Sequence, residues 1–326
     1  MSSYSDLLVS VKAAEKHLYQ FGGPILMFLG VVGCILNSLV FSQKNLRKNP
    51  CSIYFLAFNT ANFFYIFSSL LPLTLNSGYN SDISTQYLVL CRIRFYVTVL
   101  ANALSASYLI LASIDRILIT SSNARTRQRS HLRYAYICLI VGISFWTVFH
   151  IHALIATNII AVAPRTFICY FQLGVYLAFI SYYALIKELS TLVLLTLCGF
   201  WSIKNIRSSA RRIIPMTNTS GSRTAATSTI RSTSSKDHQL MLMLLMDIIF
   251  YVSFSLTFAC FLAYQQITQY DIKNLERVQI ENSIRNFCLF GVGISFSSSC
   301  YANLLVSKTF RTELKKIFFT TMHPLH

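Results

Sequence analysis

Phe21–Ser42 reads FGGPILMFLGVVGCILNSLVFS, a run with no charged side chain and few polar ones. An α-helix rises 1.5 Å per residue, so about 20 such residues cross the roughly 30 Å of hydrocarbon in a bilayer. Six further stretches repeat the pattern: Ser52–Leu75, Tyr87–Ile119, Tyr134–Val162, Leu173–Trp201, Leu240–Gln266 and Ile284–Val306. A bilayer holds no water to satisfy bare peptide groups, which makes each stretch a helix. The composition, 54% hydrophobic and 12% charged, agrees. The expected fold is an all-α membrane protein, a seven-transmembrane-helix bundle.

A net charge of +17 would point to nucleic acid in a soluble protein. Here the charge lies between the helices, on one side. Lys44, Arg47 and Lys48 follow helix one, and Arg116, Arg125, Arg127, Arg129 and Arg133 lie between helices three and four. Lys204, Arg207, Arg211, Arg212, Arg223, Arg231 and Lys236 lie between helices five and six, and Lys308, Arg311, Lys315 and Lys316 follow helix seven. Basic loops stay in the cytoplasm, so the N-terminus is expected outside and the C-terminus inside, with no nucleic-acid partner.

Residues 1–20 are expected as a short outer segment without a signal peptide, 21–306 as the helical bundle, and 307–326 as a cytoplasmic tail. In the tail, Phe310, Leu314, Ile317 and Phe318 fall at i, i+4, i+7 and i+8 with cations opposite. That is an amphipathic helix lying on membrane lipids. Pro215–Ser235 is almost all Ser, Thr and small residues and is expected disordered, its hydroxyls placed for basic-directed kinases. Of nine cysteines, only Cys91 and Cys169 fall on the outer side. The outside is oxidising, so the two are expected to form a disulfide.

Helix three ends in Asp115-Arg116-Ile117, with Arg116 standing 25 positions after Cys91. Together with Asn37 in helix one and the lone Trp146 of helix four, this resembles the rhodopsin-like G-protein-coupled receptors over about residues 21–319. Within that family the chain is similar to invertebrate FMRFamide-type peptide receptors. It departs from the pattern at several places. Ile117 stands for the family Tyr, Asn62 for the helix-two Asp, and Ser299-Cys300-Tyr301-Ala302-Asn303 for Asn-Pro-x-x-Tyr. Prolines of helices five, six and seven are missing, which leaves Gly291 and Gly293 as candidate hinges.

The resemblance implies a switch of Asp115, Arg116 and Asp237, and a helix-packing polar network of Asn37, Asn62 and Asn303. It implies an extracellular ligand and a heterotrimeric G protein as partners, a plasma-membrane location, and neither catalysis nor a cofactor. Thr98 replaces the Asp of amine receptors, and helix seven lacks the Lys of opsins.

Mixed charge with aromatics suits a peptide, and the candidate pocket comprises Arg94, Thr98, Tyr65, Tyr96, Lys187, Gln265 and Arg285. Lys187, Glu188 and Asp247 lie at membrane depth, where charge is expensive and marks function or internal packing. Lys187 and Glu188 point about 100° apart and need not pair. A small-molecule chemosensory receptor and a seven-helix transporter or channel are the alternatives.

Overall fold

The computed structural model describes residues 2–44, 46–121, 130–163, 166–213 and 224–322. Seven helices are long and apolar enough to cross a membrane: Asp6–Phe41, Pro50–Tyr79, Leu88–Thr120, Leu132–Ile155, Val175–Asn205, His238–Ile267 and Leu275–Val306. In chain order they are helices one to seven. Helix three packs against two and five, helix six against five and seven, and helix one against two and seven.

The polarity of this bundle is inverted relative to a protein dissolved in water. Asn37, Asn59, Asn62, Ser105, Asp247, Ser299 and Asn303 are buried, whereas Phe28, Ile140, Val148, Phe200 and Leu305 are exposed. Helix four buries only 17% of its most apolar window. Exposed apolar area costs about 25 cal/mol per Å² in water and nothing in lipid. The chain is a multi-pass membrane protein.

Three of the seven helices are irregular: one and two each carry a π turn, and helix four breaks at His150, between Leu132–Phe149 and Ile151–Ile155. Helix one begins at Ser2, passes through a π turn at Leu18–Gly22 and continues as Gly23–Phe41. Residues 2–20 are therefore helical. Glu15 accepts hydrogen bonds from Ser283 Oγ and Asn286 Nδ2 of helix seven, both at 2.6 Å. Helix two runs Pro50–Tyr65, a π turn Ile66–Leu70, then Leu71–Tyr79. Pro72 lacks an N–H and its ring crowds the carbonyl of Ser68, so the widened turn just before it relieves that clash. Helix seven is unbroken. Gly291 and Gly293 lie at close contacts in it, where an added Cβ would stand 3.2 Å from Phe254 and 3.3 Å from Leu70.

The closest approach is at Gly30, where a Cβ would meet Ser297 Oγ at 2.5 Å and Ile66 Cδ1 at 2.7 Å. Gly30→Ala is expected to destabilise the detergent-purified protein by about 1–3 kcal/mol, read as a lower thermal midpoint. Gly142 has nothing nearer than Tyr108 Cε1 at 4.0 Å. Gly142→Ala should leave the midpoint unchanged or raise it, because Ala is the better helix former.

The expected helix through Val162 stops short at Ile155. Thr157–Ala163 instead pairs antiparallel with Thr166–Phe171, setting Ile159 opposite Cys169. The first run is rich in β-branched residues and the second in aromatic ones, which suits a ladder better than a helix. At the other end of the bundle, Thr224–Ile267 forms one helix. Part of the segment expected to be disordered is thus helical, because extending a helix that already exists costs little. Residues 214–223 lie outside the described residues. After helix seven, Lys308–Met322 is helical. Its Phe310 is buried 5.9 Å from Phe41, Leu314 and Ile317 pack on the core, and Phe318 and Phe319 remain exposed.

Candidate functional site

Two sites lie at opposite ends of helix three. At the Cys91 end, helices two, three, five, six and seven enclose a cavity of about 340 Å³, with the second hairpin strand as part of its wall. The Cys91–Cys169 disulfide ties that strand to helix three, with a Cα–Cα distance of 5.7 Å. The other seven cysteines are free, as their places in the sequence lead one to expect.

Arg94, Thr98, Tyr65, Lys187, Gln265 and Arg285 all line this cavity. Tyr96 does not, which corrects its place in the candidate pocket. Arg94 and Thr98 are four residues apart and share a face of helix three, while Tyr96 points about 200° away. Its hydroxyl donates to the Thr147 carbonyl of helix four at 3.2 Å.

The three cations of the wall are held differently. The Arg94 guanidinium lies 3.3 Å from Asp82 and donates to Ser84 Oγ at 2.6 Å. Asp82 also accepts from the Ser84 backbone N–H at 2.9 Å, so the turn that carries it is pinned. Lys187 Nζ lies 2.5 Å from Glu188 Oε1 and also donates to Asn102 Oδ1. The adjacent pair meets because a four-carbon stem spans the 100° between the two positions. Arg285 donates to the Tyr170 hydroxyl at 3.1 Å and lies over that ring at 5.6 Å. Among the described residues, it is the cation of this wall that forms no salt bridge.

Three buried polar atoms of cavity residues have no hydrogen-bond partner among the described groups: Glu188 Oε2, Asn286 Oδ1 and Ser68 Oγ. Leaving such an atom unpaired costs about 1–3 kcal/mol. The apolar part of the wall is aromatic, with Tyr65 stacked on Phe296 at 4.1 Å and Phe95 edge-on to Phe171 at 4.8 Å. The cavity therefore combines apolar faces with a few fixed polar groups, the usual make-up of a small-ligand site.

At the opposite end, Asp115 and Arg116 are buried, Arg116 completely. Their side chains meet at 2.8 Å. Arg116 also donates to Asn49 Oδ1 at 2.6 Å, and Asp115 accepts from Ser130 Oγ at 2.5 Å. Asn49 caps helix two by accepting from the Cys51 N–H. The charge pair of helix three thus holds the start of helix two and the approach to helix four. Asp237 lies on the Thr224–Ile267 helix, but its side chain lies outside the described residues, as do residues 122–129 of the basic loop.

Between the two sites runs a buried polar chain. Asn37 donates to Asn59 Oδ1 at 2.7 Å and to Ser299 Oγ at 3.3 Å. Asn303 donates to Asn37 Oδ1 at 3.4 Å, and Ser299 donates to Asp247 at 3.2 Å. Asn62 is bonded elsewhere, accepting from Ser105 Oγ at 2.6 Å. The expected network is thus corrected by one turn of helix two: Asn59, not Asn62, faces helix one. Asp247 places a carboxylate in the same cluster from helix six.

Sequence reasoning missed Asp82, Asn102 and Asn59. The Asp82-Ile83-Ser84 sequence is a legible side-chain-capped turn, but nothing in the one-dimensional pattern selects Asn59 over Asn62. His150 and His152 hydrogen-bond Tyr183 and Tyr176 at 2.9 and 2.8 Å. No cluster of three metal-ligating side chains occurs among the described residues. No protein-family model matches the chain, and no curated protein matches it.

Proposed function

We propose that the protein is a rhodopsin-like G-protein-coupled receptor of the plasma membrane, with its N-terminus outside and its C-terminus in the cytoplasm. An extracellular ligand enters the cavity, and a heterotrimeric G protein meets the Arg116 end. The observation that carries this reading is helix three itself. One continuous helix, Leu88–Thr120, bears a disulfide-tethered cavity at one end and a buried Asp-Arg pair at the other. The 25 residue steps from Cys91 to Arg116 rise about 37 Å at 1.5 Å each, enough to carry a message across the bilayer. The excess of basic loops at the Arg116 end supports the orientation.

Ligand binding biases helix six outward, releases Arg116 and opens a groove for the G-protein α-subunit tail. The receptor catalyses nothing itself. The deciding measurement is guanine-nucleotide exchange in reconstituted membranes against a peptide panel. Ligand-dependent exchange is expected, and Arg116→Ala should abolish it. Asp237→Ala should raise basal exchange if that acid restrains Arg116 at rest. Ion flux in proteoliposomes without any ligand would instead mark a channel or transporter.

The ligand class we favour is a peptide whose end enters the cavity. Arg285 then pairs with a ligand carboxylate, and Arg285→Ala should lower potency about 10- to 100-fold, as expected for a lost charged hydrogen bond. Tyr96→Phe should leave potency unchanged. The volume of about 340 Å³ supports a second reading, because it is at the small end for ligand sites. A chemosensory receptor would enclose a whole small molecule there, and an odorant panel would then drive exchange where peptides fail.

A further inference from the structure

The segment before the first membrane crossing is helical from Ser2 to His17, and it is bound to helix seven. Lys12 Nζ donates to Gln279 Oε1 at 2.8 Å. Glu15 accepts from Ser283 Oγ and Asn286 Nδ2, both at 2.6 Å, and the Tyr19 hydroxyl donates to the Asn286 carbonyl at 2.6 Å. Tyr19 is completely buried and lies edge-on to Phe290 at 5.4 Å. Of Gln279, Ser283 and Asn286, only Asn286 lines the cavity. Its side chain and its backbone are thus both gripped from helix one. A side-chain amide has two unlike arms, a nitrogen that donates and an oxygen that accepts. A carboxylate only accepts, so Glu15 holds the nitrogen arm. The second N–H goes to Ser77 Oγ of helix two at 3.4 Å. Neither Glu15 nor Ser77 lines the cavity. The other arm, Asn286 Oδ1, is buried and receives no hydrogen bond from any described group. Such an acceptor is costly until a donor reaches it.

We propose that Glu15 determines specificity through Asn286. It holds the amide nitrogen on the helix-one side and leaves the oxygen as the group the ligand meets. The ligand atom at this point is then a hydrogen-bond donor. A group that only accepts is rejected there, because it would set oxygen against oxygen with no proton between them. Glu15 touches no ligand and is a positioning residue. The inference rests on the reading of this cavity as the ligand site. It adds the residue, outside the cavity, that sets the hydrogen-bond polarity of the helix-seven wall.

Two uncharged probes on one carbon skeleton test this: 3-phenylpropan-1-ol, which donates and accepts, and its methyl ether, which only accepts. Their shared ring suits the aromatic wall around Tyr65 and Phe95. Saturation-transfer NMR on the full chain, purified in detergent and corrected for partition into empty micelles, gives the alcohol-to-ether affinity ratio. In the parent the alcohol is expected to bind about tenfold tighter. Glu15→Lys puts a donor where an acceptor stood, so the amide turns over and presents its N–H to the cavity. The ether then finds a donor, and the ratio should fall to about one. A purely structural loss would weaken both probes alike and leave the ratio at its parent value, which overturns the proposal.

Asn286→Ala should also bring the ratio to about one, and it decides the matter if the lysine variant does not fold. Lys12→Ala, whose partner Gln279 lies off the cavity, should keep the parent ratio, and a ratio lost there too would show general loosening and overturn the role of Glu15. A parent ratio near one, no binding of either probe, or a parent ratio retained in Asn286→Ala each overturns the proposal. The readout needs no G protein. Failure here with ligand-dependent nucleotide exchange intact removes the role of Glu15 alone, and success here without exchange removes the receptor reading alone.

Discussion

Asp115→Ala is expected to destabilise the detergent-purified protein by about 3–5 kcal/mol, the usual cost of breaking a buried ion pair from one side. Arg116 is completely buried, 2.8 Å from the Asp115 carboxylate. Removing that carboxylate leaves the guanidinium in a site where water does not replace it. The same change frees Ser130 Oγ, which donates to Asp115. The effect should appear as a large fall in thermal midpoint.

Asp115→Asn keeps an acceptor of nearly the same shape and should cost less. Asp271→Ala is the control, because the Asp271–Arg277 pair is 3.4 Å apart and largely exposed. Solvent screens such pairs, and that variant should melt like the parent. Under the receptor reading, Asp115→Ala should also raise nucleotide exchange in the absence of ligand. An unchanged thermal midpoint would show that the pair does not hold the helices as described.

Cys91→Ser should give the second large effect. The disulfide spans 78 positions. A free chain with that constraint gains about 4–5 kcal/mol from loop closure. Helices three and four already restrict the ends in the membrane, so roughly 2–4 kcal/mol is expected. The local consequence is larger still. Cys169 sits mid-strand in the hairpin, and Ile168, Tyr170 and Phe171 of that strand line the cavity. Without the anchor, Tyr170 no longer holds Arg285, and ligand affinity should fall sharply.

The paired variant Cys91→Ser with Cys169→Ser should melt at the same temperature as either single change, because one bond is lost in all three. Parent protein treated with reductant should match them. A double variant that loses twice as much would mean that the two thiols act separately.

Much of this architecture is legible in the linear chain. Phe21–Ser42 and the six runs like it mark their helices, and the structure moves mostly the ends. Helix one starts earlier, and helix four stops at Ile155. The disulfide partners and the amphipathic face of 308–318 also follow from position and periodicity alone. The candidate cavity is partly legible. Arg94 and Thr98 line it together, and Tyr96, at the intervening position, faces helix four instead. A 100° step per residue separates them, but which face turns inward is set by the neighbours. Asn59 and Asn62 lie one turn apart and find different partners for the same reason.

The sequence alone settles which segments leave water, because transfer into lipid depends on the apolar content of each segment, summed locally. It likewise settles which cysteines can meet and where a helix has one oily side. Only the tertiary structure decides which polar atoms touch. That depends on the rotation of every helix about its own axis, and π turns such as Ile66–Leu70 reset this rotation partway along. The Lys187–Glu188 contact, the clasp of Arg116 on Asn49 and the hairpin over the cavity arise from that packing, since each joins groups whose mutual distance no local pattern encodes.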